Sequence, residues 1–242
     1  KDYLGAATIF ITIRDYKDVE ALLVKDDKMI EATVDLKFSV GNYVTFGSYP
    51  QTAAGDDMTA IEWLVLAREG KKALLISRYG LDAQKYHSEK TAITWQTCSL
   101  RTWLNSTFLN KAFTATEQSA ILMTTVDNSK DQGYSGYSTD GGNNTEDKVF
   151  LLSYAEANKY LGITDNGYNK ELGVEATAYA KKQGVYVDDN RIWWWLRSPG
   201  EAKNEAIQAG PGGYIFSSSV YTSFSPDAIR PALWVNLESG IF

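Results

Sequence analysis

The order of hydrophobic patterns along the chain is the feature that most restricts its fold. Between residues 40 and 79, short runs rich in β-branched and aromatic residues are separated by glycine-bearing turns, which predicts strands. Residues 99–123 place apolar side chains at helical spacing, and the pattern becomes strand-like again from Trp193. Strands, then helices, then strands predict an α+β domain whose two ends meet in one antiparallel sheet.

Local signals predict several element boundaries. Two strand-like runs, Ile61–Leu66 and Lys72–Ser77, flank a Glu-Gly-Lys turn and predict a hairpin. Thr114 and Ser153 each precede a glutamate by three residues, which is the spacing of a helix-capping box. We expect Ser99 to be the N-cap of the first helix after the hairpin, because an apolar helical face follows it.

The first 39 residues differ from the rest and predict a short helical stub ahead of a domain at residues 40–242. Apolar residues recur there at helical spacing, and the charged run Lys25–Lys28 predicts a break between two short helices. The segment Arg14–Leu23 resembles the end of a tetratricopeptide-like repeat, of which a single unit cannot bury its own apolar face. A helix packed on the main domain is the alternative.

Composition excludes several classes of function. The net charge is −6 and no run of Lys and Arg is present, so we expect no nucleic-acid partner. No stretch of about 18 apolar residues occurs, so no membrane span is expected. The chain has one His and one Cys, His87 and Cys98, which are too few for a conventional zinc site. We expect His87 to be a surface or structural residue and Cys98 to be buried.

Acidic residues leave two further possibilities open. The polar loop Asp127–Asp147 carries several carboxylates and amides, the oxygen ligands that calcium prefers, but without the spacing of an EF-hand. A solvated loop is the simpler interpretation, so no cofactor is expected and calcium stays an alternative. Paired carboxylates also serve glycosidases as acid and base. The candidates for such a pair are Asp56, Asp57, Glu62, Asp188 and Asp189.

The last fifty residues are rich in aromatic and small polar residues, a composition resembling that of antibody binding loops. We expect Trp193, Trp195 and Trp234 to alternate into the core, and Arg197 and Arg230 each to tie two strands together through an ion pair. The predicted structural residues are Trp195, Arg197, Arg230 and Trp234. The predicted ligand-binding residues are Trp194, Asn204, Gln208, Tyr214, Phe216, Tyr221 and Phe224.

Five motifs occur in order along the chain: Phe46–Gln51, Ile61–Leu66, Cys98–Asn105, Trp194–Gly200 and Arg230–Trp234. Together they resemble a bacterial domain family of unassigned function that is common in gut Firmicutes. The resemblance covers about residues 40–237, and members of that family often follow helical repeats.

This family in turn resembles the C-type-lectin-like fold of formylglycine-generating enzymes and of the variable proteins of diversity-generating retroelements. The resemblance implies that Trp195–Ser198 and Ile229–Pro231 bracket a display surface at residues 201–227. Formylglycine-generating enzymes use a copper-binding cysteine pair, and this chain has one Cys, so that activity is not implied. The Glu-Pro-Asn and Trp-Asn-Asp motifs of calcium-dependent lectins are also absent.

Together these features predict a non-catalytic module that binds a protein or a glycan through residues 201–227. A carboxylate-dependent glycan hydrolase is one alternative, and a structural domain of a larger surface protein is another. A display module needs access to its partner, so we expect a location at the cell surface or outside the cell. A cytoplasmic helical-repeat protein is the remaining option.

Overall fold

The computed structural model describes residues 17–162, 173–215, 220–224 and 226–242. It has mixed α and β structure, with curled, mainly antiparallel sheets and short helices, as the order of sequence patterns predicts. Within this part of the chain, every helix is too short or too polar to cross a bilayer.

The chain divides into two compact units, Lys1–Ser39 and Val40–Phe242. In the first unit, helix α1 spans Lys17–Lys37 and continues through the charged run Lys25–Lys28. The predicted break at that run is therefore wrong: the four charged residues are all compatible with a helix. The shorter helix predicted ahead of it lies outside the described residues.

The second unit contains the remaining described elements. Its helices are α2 (Ser99–Trp103), α3 (Leu109–Ala112), α4 (Ala115–Ala120), α5 (Tyr154–Leu161) and α6 (Ala178–Gln183). Its strands are β1 (Tyr43–Tyr49), β2 (Thr59–Glu69), β3 (Lys72–Ser77), β4 (Asp82–Gln84), β5 (Thr124–Val126), β6 (Thr145–Asp147), β7 (Val187–Asp188), β8 (Arg191–Ile192), β9 (Trp194–Pro199), β10 (Glu205–Ala209), β11 (Val220–Tyr221), β12 (Asp227–Ile229) and β13 (Ala232–Asn236).

A four-stranded antiparallel sheet joins the two ends of the second unit, in the order β1-β2-β3-β13. The predicted hairpin is β2–β3, in which Glu69 pairs with Lys72 across a turn that needs the positive φ of Gly70, 58°. Strand β13 runs antiparallel to β3 with Trp234 opposite Leu74. The prediction that the ends of the domain share one sheet is confirmed.

A five-stranded sheet carries the C-terminal residues, in the order β11-β10-β9-β12-β4. Its pairs are antiparallel except for β9 and β12, which run parallel with Ala228 opposite Trp194. Strand β11 lies at one edge. Beyond β4, the chain curls round so that the His87 N–H donates to the carbonyl of Thr222, 3.0 Å away, directly after β11.

The helix caps agree with the sequence in two of three places. The capping boxes at Thr114 and Ser153 are both complete, with Glu117 and Glu156 closing them. Helix α2 instead begins one residue earlier than predicted, because Cys98 is its N-cap and the thiol sulfur accepts the Arg101 backbone N–H at 3.4 Å.

Candidate binding surface

An exposed pair of aromatic residues follows the edge strand β11. Tyr221 pairs with Glu205 at the start of β10, and the chain then turns so that the Phe224 N–H donates to the Tyr221 carbonyl at 3.0 Å. The Phe224 side chain is 75% exposed and that of Tyr221 is 43% exposed. A hydrogen-bonded turn therefore holds two aromatic side chains in solvent, and aromatic residues are enriched at binding surfaces.

Backbone hydrogen bonds fix this turn to two neighbouring segments. The buried Thr222 accepts from His87 and donates to the carbonyl of Asn204, both at 3.0 Å. The Ile93 N–H donates to the Lys203 carbonyl at 2.8 Å. These hydrogen bonds therefore hold three segments together: residues 87–94, the turn at residues 201–204 and the turn at residues 221–224.

Lys90 brings a cation to the aromatic pair. Its ammonium lies 4.1 Å from the centre of the Tyr221 ring, within the range of a cation–π interaction. Sequence reasoning missed Lys90 because the two residues are far apart in the chain, and no local pattern marks their contact.

The polar loop between β5 and β6 extends the same surface. The Thr139 hydroxyl donates to the Glu201 carbonyl at 2.6 Å, which places the loop against the 201–204 turn. The half-buried rings of Tyr134 and Tyr137 meet edge to face, 5.1 Å apart, and Tyr134 also contacts Tyr154 at 5.4 Å. We call residues 87–94, 131–144, 201–204 and 220–224 together the loop surface.

The sequence of the polar loop also carries a compositional signal for binding. Its Gly-Tyr-Ser-Gly-Tyr-Ser run, residues 133–138, has the tyrosine, serine and glycine bias of antibody binding loops. The predicted binding surface covers only the C-terminal part of the chain, where the aromatic residues are denser.

Tyr214 does not join the loop surface. It is 41% exposed and lies in the turn after β10, where its carbonyl accepts the Gly210 N–H at 2.9 Å. Tyr221 lies beside the other end of β10, and a five-residue strand separates the two by about 15 Å. Phe216, also predicted to bind ligand, lies outside the described residues. Asn204 is half-buried in the loop surface.

Trp194 and Gln208, both predicted to bind ligand, are buried with 0% and 4% of their surface exposed. Trp194 lies under the Arg230 guanidinium, 5.1 Å from the ring centre, and the Gln208 side-chain amide donates to the Asp227 carboxylate. Side chains without exposed surface do not contact a ligand at the surface, so neither residue belongs to the site.

The expected alternation of the tryptophans is also wrong. Trp194 and Trp195 are consecutive and both fully buried, whereas Trp193 is half-buried. Trp195 donates its indole N–H to the Gln84 carbonyl at 2.9 Å and packs on Tyr86, ring centres 5.6 Å apart. Both faces of β9 are covered, so consecutive side chains are buried on opposite sides.

Trp234 is 9% exposed on β13 and lies under the Lys72 ammonium at 4.8 Å. This is the structural position that the sequence predicts for it.

Arg197 is buried and anchors the polar loop rather than a second strand. Its guanidinium forms an ion pair with Glu156 of α5 and donates to the carbonyls of Leu151 at 2.9 Å and Asp127 at 2.8 Å. Its Nε–H donates to the Asn128 side chain at 3.2 Å. The expected buried ion pair is present, but it joins β9 to a helix rather than to a second strand, and the other partners are the ends of loops.

Arg230 links the end of β12 to the end of β3. Its Nε–H donates to the Ser77 carbonyl at 2.8 Å, and its guanidinium covers Trp194. Both arginines are nearly fully buried, at 2% for Arg197 and 1% for Arg230.

Two carboxyl groups other than those considered from the sequence have shifted pKa values. Burial raises the pKa of Asp82, although the Tyr49 hydroxyl donates to it at 2.5 Å and opposes that effect. Burial raises the pKa of Asp227 to about 7, and the Gln208 amide opposes the rise. Gln84 lies opposite Asp227 in the β4–β12 pair, so the side chains of Asp82 and Asp227 share one face of the sheet.

This carboxyl pair does not form an open catalytic site. Asp82 is 4% exposed and Asp227 is 5% exposed. Of the carboxylates considered from the sequence, Asp57 caps a turn through Thr52 and Thr59, whose hydroxyls lower its pKa, and Glu62 pairs with Arg78 at 3.1 Å on the surface.

Three acidic residues near the ends of the polar loop are bonded within the protein. Asp127 accepts the Ser129 N–H at 2.8 Å, Glu146 accepts from Thr125 at 2.6 Å, and Asp147 pairs with Arg101 at 2.6 Å. Among the described residues, no group of three or more His, Cys, Asp or Glu side chains is arranged to hold a metal ion. The calcium alternative gains no support from this geometry.

Cys98 is fully buried, as the sequence predicts, and burial raises the pKa of its thiol to about 12. A thiol that stays protonated at neutral pH is a poor nucleophile. His87 accepts the Ser99 backbone N–H on its Nδ1 atom at 3.2 Å, so its role at the start of α2 is structural.

A family model described as a domain of unknown function, DUF6273, matches residues 70–237, which include the whole loop surface. No curated protein and no solved structure matches the chain significantly.

Proposed function

We infer that this chain, which belongs to the DUF6273 family, is a non-catalytic binding module that recognises its ligand through the loop surface. The family description assigns no activity, so the support comes from the chemistry of that surface. The observation that carries the proposal is the Phe224 side chain, 75% exposed on a turn whose backbone is hydrogen-bonded. Holding a large apolar side chain in water costs free energy that a bound partner recovers.

The ligand is a protein or a glycan. Exposed aromatic rings with serine, glycine and asparagine around them supply apolar area together with adaptable hydrogen bonds. Charges of both signs flank the surface, with Lys90 and Lys203 near Glu89 and Glu201, so recognition does not require a strongly charged ligand. Such a module acts without a cofactor and at the cell surface or outside the cell, where its partner is accessible.

We also propose that the fold is C-type-lectin-like. The support is an antiparallel sheet that joins both ends of the unit, together with a second sheet that bears the long loops. In this proposal the strand with Arg197 and the segment with Arg230 bracket the C-terminal part of the loop surface.

The test is a binding screen on arrays of glycans and of extracellular proteins, with matched variants. One variant carries Tyr221→Ser and Phe224→Ser. The control carries Tyr214→Ser and Tyr186→Ser, which remove aromatic side chains that are 41% and 65% exposed outside the loop surface. We expect ligands of the unmodified chain to be lost only by the first variant. Retention of every ligand by that variant would contradict the proposal.

A second candidate function, a structural connection within a larger protein, is favoured by helix α1. Its Met29, Ile30 and Leu36 side chains are 60%, 61% and 73% exposed. Met29 and Leu36 are seven residues apart and so lie on one face of the helix, a spacing typical of a helix that packs on another helix. If α1 is such a connection, replacing Met29 and Leu36 by serine will abolish its association with a partner helix and leave ligand binding by the loop surface intact.

A further inference from the structure

The loop surface has a buried carboxyl group at its base. Asp227 is the first residue of β12 and follows the segment that carries Tyr221 and Phe224. Its side chain is 5% exposed, and the side-chain amide of Gln208 on β10 donates to it. This hydrogen bond between buried groups ties the start of β12, which follows the turn at Phe224 in the chain, to the middle of β10 across the intervening strand β9.

From these contacts we infer that Asp227 is a proton-controlled latch that holds the aromatic segment, residues 220–224, against the five-stranded sheet. The inference rests on the proposed function, because it assigns a regulation to the same binding surface. When the carboxyl group is protonated, it is a neutral partner of Gln208 and remains buried. When it is ionised, the hydrogen bond from the Gln208 amide does not compensate for the loss of water around a buried charge.

The charged groups on the elements around Asp227 are engaged elsewhere or exposed. On β4, Asp82 is bonded to Tyr49, and on β9 Arg197 is paired with Glu156. Arg230 covers Trp194, which shares its sheet face with Ala228 and so lies on the side opposite Asp227. No cation forms a salt bridge with Asp227 among the described residues.

Two other elements approach the segment. The turn after α6 lies beside it, since a Cβ atom on Gly184 would be 3.7 Å from Pro226, and the nearby Lys181 and Lys182 of α6 are exposed. His87 donates its backbone N–H to Thr222. A His87 variant is therefore the matched control for an experiment on the latch.

The latch operates near neutral pH. Burial raises the pKa of Asp227 to about 7. Ionisation above that pH favours conformations in which the carboxylate reaches water, and in these the aromatic segment leaves the sheet. The display of Tyr221 and Phe224 is then ordered in mildly acidic solution and loosened in alkaline solution.

Hydrogen exchange of the ligand-free chain tests the latch without reference to any binding partner. The Thr222 and Phe224 amides are hydrogen-bonded, so their exchange reports opening of the segment. After correction for intrinsic rates, we expect segment opening to increase about tenfold between about pH 6 and about pH 8, as linkage to a group of this pKa requires. The Asp227→Asn variant will lose this dependence, and the His87→Gln control will keep it.

An equal pH dependence in the unmodified chain and in Asp227→Asn would overturn the inference. If Asp227→Asn does not fold, titration of the Asp227 carboxyl carbon by NMR in the unmodified chain decides the matter. A midpoint near 7 that coincides with the change in exchange supports the latch, and a midpoint near 4 overturns it. Because no ligand is present, either result leaves the proposed binding function to be judged by the array screen.

Discussion

The four-stranded and five-stranded sheets of the second unit bury side chains of different character. Strands β2 and β13 bury apolar residues such as Trp63, Val65 and Leu233. The five-stranded sheet buries Asp82, Arg197, Ser198, Gln208 and Asp227. Burying polar groups is costly unless they are paired, and here the partners are ends of loops and neighbouring strands.

The two sheets therefore differ in what their stability depends on. An apolar sheet needs only shape and volume to be stable, so it serves as a scaffold. In the five-stranded sheet, Arg197 donates to the Asp127 carbonyl at the start of the polar loop, and Gln208 donates to Asp227, which follows the aromatic segment in the chain. The stability of this sheet is therefore coupled to the position of the residues proposed to bind ligand.

The largest loss in the free energy of unfolding is expected for a substitution of Arg197. Replacement by Ala removes the partner of Glu156 and leaves the carbonyls of Asp127 and Leu151 without their donor. Breaking a buried pair costs about 3–5 kcal/mol of the free energy of unfolding. Denaturant unfolding measures this loss, and the exposed pair of Arg78 with Glu62 provides the control, since Arg78→Ala costs about 0–1 kcal/mol. Equal losses in the two variants would remove the distinction.

The next largest effect is expected from Asp227, whose ionisation makes the global stability depend on pH. Its folded pKa, about 7, lies above the ordinary value of 3.8, so the folded state retains the proton more strongly. The resulting stabilisation is complete below about pH 4 and is lost as the pH rises through 7, by at most about 4 kcal/mol. Asp227→Asn lacks this loss. Thermal unfolding of both proteins between pH 5 and pH 8 measures it, and parallel curves would contradict the assignment.

A smaller difference in the free energy of unfolding is expected between apolar replacements in the two sheets. Gln208→Met removes the hydrogen bond to Asp227 and leaves a buried polar group unpaired, which costs about 1–3 kcal/mol. Leu75→Met replaces a fully buried side chain on β3 by one of similar volume and costs less than about 1.5 kcal/mol. Chemical denaturation at pH 8, where Asp227 is mostly ionised, gives the clearest contrast. A greater loss for Leu75→Met would reverse the comparison.

The smallest expected effect on stability lies on the loop surface itself. Tyr221→Ser together with Phe224→Ser removes side chains that are 43% and 75% exposed. Surface substitutions of this kind usually change the free energy of unfolding by no more than about 0.5 kcal/mol. A loss above about 2 kcal/mol, measured by denaturant unfolding, would show that these residues are structural and would weaken their assignment to binding.

The sequence predicts the four-stranded sheet better than the five-stranded sheet for a physical reason. The β2–β3 hairpin and the capping boxes are local, so their residues carry the signal themselves. The parallel pairing of β9 with β12 depends on distant residues and leaves no local pattern. Because both faces of β9 are covered, Trp194 is buried where alternation predicts a surface residue.

The candidate site was predictable only in part. Composition alone located Tyr221 and Phe224, which the structure places together in solvent. It did not separate them from Gln208, whose side chain lies in the same stretch but points to Asp227. Lys90 and the tyrosine-rich loop join the surface through contacts between segments far apart in the chain.

The array screen with the paired variants is the most direct test of whether the loop surface binds a partner. The account predicts that a ligand bound by the unmodified chain is lost by the Tyr221→Ser, Phe224→Ser variant and kept by the Tyr214→Ser, Tyr186→Ser control. Undiminished binding by the first variant, or loss only in the control, would contradict the account and place recognition elsewhere on the molecule.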